Sequence, residues 1–104
     1  MIKCSFFKSN GTFYKVRIHG HSGYSEEGSD IVCAAVSSMA MLTMNTITDL
    51  FGVKAEVEVD ENAPLIVFEI KSEDERACAL IAGLYRECEV LANDYAENVR
   101  VTVN

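Results

Sequence analysis

The 104-residue chain is 49% hydrophobic and 24% charged, ordinary globular material for one compact domain over residues 1–104 and too short for two. Sixteen acidic residues against nine basic ones give a net charge of −7. That balance argues against direct nucleic-acid binding, which needs a basic face against phosphate, and suits a basic partner instead.

The opening, "MIKCSFFKSNG", lacks the apolar stretch and cleavage site of a secretory signal, so a cytoplasmic location with reduced thiols is expected. Residues 2–20 read as a β-hairpin. Two β-prone runs flank Ser9-Asn10-Gly11, and Asn-Gly tolerates the positive φ angles that a tight hairpin turn demands. In the second run Tyr14, Val16 and Ile18 fall on one face and Lys15, Arg17 and His19 on the other, with Gly20 ending the strand.

After a loop over residues 22–29, the stretch "DIVCAAVSSMAMLTMNTITDLFG" predicts a helix capped by Ser29 or Asp30 and stopped before Gly52. Val32, Val36, Met39, Thr43, Ile47 and Leu50 form its sheet-facing stripe. No charge occurs from Ile31 to Thr48, which is unusual for a helix with a wet outer face. Interspersed Ser, Thr and Asn argue against a membrane span. The expectation is a helix covered on more than one side, with Met39, Met41 and Met44 suited to an interface with a second copy.

Residues 53–71 predict a second β-pair, in which Ala55, Val57 and Val59 turn inward and Glu56, Glu58 and Asp60 outward, around the turn "DENAP". A second helix follows, opened by the capping box Ser72-x-x-Glu75 and carrying Cys78, Ile81, Leu84, Cys88, Leu91 and Tyr95 at helical spacing. "NVRVTVN" closes as a strand with Val99, Val101 and Val103 on one face. The order is ββαββαβ, an α+β two-layer sandwich with two helices packed on a mixed, mostly antiparallel sheet.

The four cysteines form no C-x-x-C pair, and their spacing suits neither a zinc ribbon nor a disulfide scaffold. Cys4, Cys78 and Cys88 read as small core hydrophobes. Cys33 differs, because it falls in the first helical turn, where N–H groups and the helix dipole favour a thiolate. Its position alone leaves both core filler and nucleophile open. His21, at a strand end, is placed to exchange a proton with such a thiol, and equally reads as an exposed loop histidine. A metal site from His19, His21 and Cys33 lacks a fourth ligand, so no metal or cofactor is expected. The glycines at 23 and 28 allow the 22–29 loop to act as a lid or to be a plain surface connection. Ser37, one turn after Cys33, is placed to bond a substrate or its own helix.

The residues "GH" at 20–21, "G" at 28 and "DIVCAAVS" at 30–37 resemble the ribosomal-processing cysteine protease family (Prp), with histidine and cysteine twelve residues apart. The similarity runs over nearly the whole chain. It implies that Cys33 is the nucleophile and His21 the general base, with Gly20, Gly28, Asp30 and Ser37 shaping the site. Asp30 would cap the helix or orient His21. Ser22 stands where the family often has alanine. The resemblance further implies a substrate, the precursor of large-subunit ribosomal protein twenty-seven with a short N-terminal extension, and a homodimeric enzyme. N–H groups at the helix start are expected to supply the oxyanion hole. The competing expectation from another class is a non-catalytic, ribosome-associated peptide-binding module.

Overall fold

A computed structural model describes residues 1–26 and 30–104. Its elements are β1 (Ile2–Ser9), β2 (Thr12–His19), α1 (Ile31–Asn45), a π-helical continuation (Thr46–Leu50), β3 (Ala55–Asp60), β4 (Leu65–Ile70), α2 (Glu75–Asp94) and β5 (Val99–Val103). The five strands form one mixed sheet in the order β3-β4-β2-β1-β5, antiparallel except for the parallel pair β1–β5. The ββαββαβ order and the α+β architecture are those read from the sequence.

The β1–β2 hairpin turns at Asn10 (φ 53°) and Gly11 (φ 80°), both positive, as a two-residue primed turn requires. Its faces differ from simple alternation in one place. Phe7 pairs with Lys15 and Lys8 with Phe13, so Tyr14 is an extra residue, a β-bulge that shifts parity. Phe13, not Tyr14, therefore joins Val16 and Ile18 in the core. There it meets Phe6 edge-on at 5.7 Å between ring centroids, and Tyr85 of α2 at 5.0 Å.

Both helices lie on one face of the sheet, with α2 over β2 and β5 and α1 beside α2. Asp30 caps α1, its carboxylate accepting from the Val32 and Cys33 N–H groups. Val32, Val36, Ala40, Thr43, Met44 and Ile47 are buried. Leu50, expected on that stripe, is 78% exposed. The bond from Phe51 N–H to the Thr46 carbonyl spans five residues, and this wider π turn rotates Leu50 away from the core. Met44 is buried and Met39 packs against the core, so of the three expected interface methionines only Met41 is exposed. The outer side of α1 and its π-helical continuation exposes Ile31, Leu42 and Leu50. Ile31–Leu50 is long and apolar enough to cross a membrane by length and composition, yet its buried stripe forms part of the same core as the sheet.

Two further expectations are corrected. Val57 and Val59, read as buried, are about half exposed, at 49% and 51%. β3 is an outermost strand, flanked in the sheet by β4 alone, so Val57 and Val59 stay half exposed although Val57 pairs with the buried Phe68. The cap of α2 is Asp74 rather than Ser72, since Asp74 accepts from the Arg76 and Ala77 N–H groups and begins the helix two residues later. Cys4 and Cys88 are both buried, as expected of core thiols. The neighbouring Cys4 thiol and burial push the Cys88 thiol up. Cys78 is half-buried.

Candidate active site

The segment between β2 and α1 is anchored before it reaches the loop. Gly20 has φ 100°, and a Cβ there would lie 2.4 Å from the Met1 carbonyl oxygen, so only glycine lets the chain pass so close to the N-terminal strand. Its N–H donates to the Pro64 carbonyl at 3.2 Å, tying the strand end to the β3–β4 turn. His21 follows, exposed, and then Ser22, which is 1% exposed. The chain thus dips into the protein directly after the histidine. A fully buried serine in a segment read as an open loop is the first departure from the sequence expectation.

What buries Ser22 is Asp30. The Ser22 hydroxyl donates to Asp30 Oδ2, and the Ser25 N–H donates to the same oxygen at 3.4 Å. Asp30 Oδ1 accepts from the Val32 and Cys33 N–H groups, both at 3.0 Å. Burial alone would raise this carboxyl, but the Ser22 hydroxyl and the three backbone N–H groups outweigh it and hold it down to about 2. Asp30 is therefore an ionised clamp joining the loop to the helix start. Of the two roles the resemblance allowed, capping is the one its bonds show. These bonds occupy three of the helix-start N–H groups from which the oxyanion hole was expected. The Val32 and Cys33 N–H groups are committed to Asp30, and the Ala34 N–H to the Asp30 carbonyl at 3.1 Å.

Cys33 is the third residue of α1 and half-buried. Its sulfur accepts a hydrogen bond from the Ser22 N–H at 3.4 Å. The sulfur thus sits at the helix N-terminus, beside an Asp30 carboxylate that is held by four donors of its own. Cys33 and His21 line one cleft of about 690 Å³ between α1 and the β3–β4 end of the sheet. Gly20, Asp30 and Ser37 line it too, so the described residues singled out from the sequence converge there. Gly28 lies outside the described residues, as does the part of the 22–29 loop at 27–29. His19, which alternates with the core residue Ile18, points to the other face of the sheet. Among the described residues no three His, Cys, Asp or Glu side chains gather as a metal site.

The cleft is walled by Ile18, Val36, Met41, Val59 and Ile66, with Asp60 and Glu61 at its rim. Such a volume, mostly apolar with a few converging polar groups, accommodates several side chains of an extended peptide. A second hollow of about 1040 Å³, between the hairpin turn and the start of α2, contains Cys78 but no histidine.

Two residues have bonds here that the sequence did not foretell. Ser22 carries both the N–H on the thiol and the hydroxyl on Asp30. Asn98, just before β5, donates its side-chain amide to the Ser22 carbonyl at 2.9 Å. Local pattern holds no sign of the Asn98 bond, because Asn98 is separated from Ser22 by 76 positions.

The family model described as "Cysteine protease Prp" matches residues 1–100. A ribosomal processing cysteine protease Prp of Bacillus subtilis (strain 168) is 32% identical over 90 residues, covering 82% of this chain and 80% of the relative. The fold matches two structures of an essential ribosomal processing protease Prp from S. aureus over all of both chains. One, with a covalently linked product peptide, has a TM-score of 0.94 at 23% identity. The other, with a substrate peptide, has a TM-score of 0.89 at 21% identity.

Proposed function

The chain belongs to the cysteine protease Prp family, and on that premise we propose that it removes a short N-terminal extension from the precursor of large-subunit ribosomal protein twenty-seven, in the cytoplasm, with Cys33 as nucleophile and His21 as general base. The observation that carries the reading is the convergence of Cys33 and His21 in one apolar-walled cleft, with an N–H donor already on the sulfur. In support, a relative of the same fold holds a covalently linked product peptide.

The chemistry follows from these groups. The Cys33 thiolate attacks the scissile carbonyl carbon, and the C–S bond forms as the carbonyl electron pair moves to oxygen. His21 holds the thiol proton and delivers it to the leaving amine as the C–N bond breaks. Water then cleaves the thioester, releasing the acid and restoring the thiol. Ser37 is exposed and lines the cleft one turn beyond Cys33, which supports a role in bonding the substrate. The apolar walls suit an apolar segment ahead of the scissile bond, and Asp60 and Glu61 attract a basic ribosomal chain. The outer side of α1 and its π-helical continuation, with Ile31, Leu42 and Leu50 exposed, is the surface through which two copies would pair.

The test is incubation with an extended precursor peptide, reading the new N-terminus by mass. Wild-type protein releases the extension, and Cys33→Ala and His21→Ala, still folded by circular dichroism, lose at least about a thousandfold in rate. Trimming by Cys33→Ala would refute the assignment. Peptide bound by the wild-type protein but never cut would make the chain a peptide-binding module instead.

A further inference from the structure

The amide of Asn98 is the one side-chain group outside the loop and helix that bonds to Ser22 among the described residues. Asn98 is itself rigidly placed. Its N–H donates to the Tyr95 carbonyl at 2.8 Å, closing the turn that ends α2, and its carbonyl accepts the Ile2 N–H at 2.9 Å from β1. Its side chain is half-buried and reaches back to the carbonyl of Ser22. Close by, Tyr24 packs edge-on against Tyr95 at 5.4 Å, so the Tyr95–Asn98 turn holds the loop at two points.

Ser22 is thereby fixed through three different groups. Its hydroxyl is held by Asp30, its carbonyl by Asn98, and its N–H lies on the Cys33 sulfur. An N–H to sulfur bond stabilises a thiolate only while the donor stays aimed at it, and a segment free to rotate offers that N–H to water instead. We propose that Asn98 is a positioning residue for the reaction: by pinning the Ser22 carbonyl it keeps the Ser22 N–H on the Cys33 sulfur and fixes the peptide that carries His21. The proposal rests on Cys33 being the nucleophile. It needs nothing of the Ser22 side chain, since Asn98 holds a backbone atom.

The experiment reads thiol reactivity rather than turnover. Full-length protein is treated with iodoacetamide across pH 5.5–9, and modification of each cysteine is followed by peptide mass mapping. Asn98→Ala removes the donor, and the near-isosteric Asn98→Asp replaces it with an oxygen while leaving the backbone bonds to Tyr95 and Ile2 available. Both variants are expected to slow Cys33 alkylation at pH 7 by about five- to tenfold and to displace its pH profile upward, in line with losing a hydrogen bond to a charged group. Half-buried Cys78 serves as the internal control and reacts as before. A merely destabilised fold would instead speed reaction at Cys78 and expose Cys4 and Cys88.

Hydrogen exchange in the wild-type protein needs no variant, and the Ser22 amide is expected to be protected. Wild-type Cys33 kinetics in both variants, or a Ser22 amide exchanging at the free-peptide rate, would overturn the proposal. Failure of the nucleophile reading is seen separately, as trimming by Cys33→Ala, and leaves the alkylation result standing.

Discussion

Replacing Asp30 by asparagine is the sharpest perturbation of the loop–helix junction. Asparagine still caps a helix, so the change removes the charge while leaving a capping oxygen. The Asp30 carboxyl is held at about 2 against an ordinary value of 3.8, and the residue is 9% exposed, so solvent screens little of the effect. A shift of that size corresponds to about 2.4 kcal/mol of folding stability at neutral pH. Because the folded value is depressed, this contribution is complete above about pH 5 and fades as pH falls through 4 towards 2, with about half left at pH 3. Asp30→Asn is therefore expected to lose about 2 kcal/mol at pH 7 and roughly half that at pH 3. Urea titrations of both proteins at pH 7, 5 and 3 and one protein concentration, followed by circular dichroism, measure the difference. Other titrating carboxylates are common to both proteins and cancel. A deficit below about 0.5 kcal/mol at pH 7, or one of equal size at pH 3, would refute the account of Asp30 as an ionised clamp.

Two other outcomes are open to direct measurement. Gly20→Ala is expected to cost roughly 2 kcal/mol or more in urea denaturation, since the added carbon meets the Met1 backbone at 2.4 Å, whereas Gly11→Ala, with open space around it, costs about 1 kcal/mol from its positive φ alone. Leu42→Glu, on the outer side of α1 at 68% exposure, should leave monomer stability within about 0.5 kcal/mol while shifting a dimer to monomer in light scattering behind a sizing column. A wild-type protein that is already monomeric at micromolar concentration would remove the pairing proposal.

Much of the architecture was legible because it follows from short-range pattern. Asn10-Gly11 announced the hairpin, alternation announced the strands, and the three-four spacing of Val32, Val36 and Ile47 announced α1. The misreadings each have a non-local or geometric cause. A single extra residue at Tyr14 reversed the faces beyond it, so Phe13 became core. A π turn moved Leu50 outward. Val57 and Val59 alternate correctly, but alternation cannot tell an edge strand from a central one. At the site, His21, Cys33 and Asp30 share a short stretch and a recognisable motif, and all three line the cleft. Ser22 looked like a loop residue because its burial depends on the folded position of Asp30, and Asn98 is brought there by sheet topology alone.

The parallel pairing of β1 with β5 carries a temporal consequence. β1 is made well before β5 and has Ile2 opposite Val99, so the edge that β5 covers waits until β5 emerges from the ribosome. The turn that supplies Asn98 is synthesised directly before β5, and the Ser22 carbonyl cannot meet that amide before then. Histidine, serine and cysteine are thus translated early and braced late. A nascent chain short of β5 carries His21, Ser22 and Cys33 before the Asn98 bond to the Ser22 carbonyl can form.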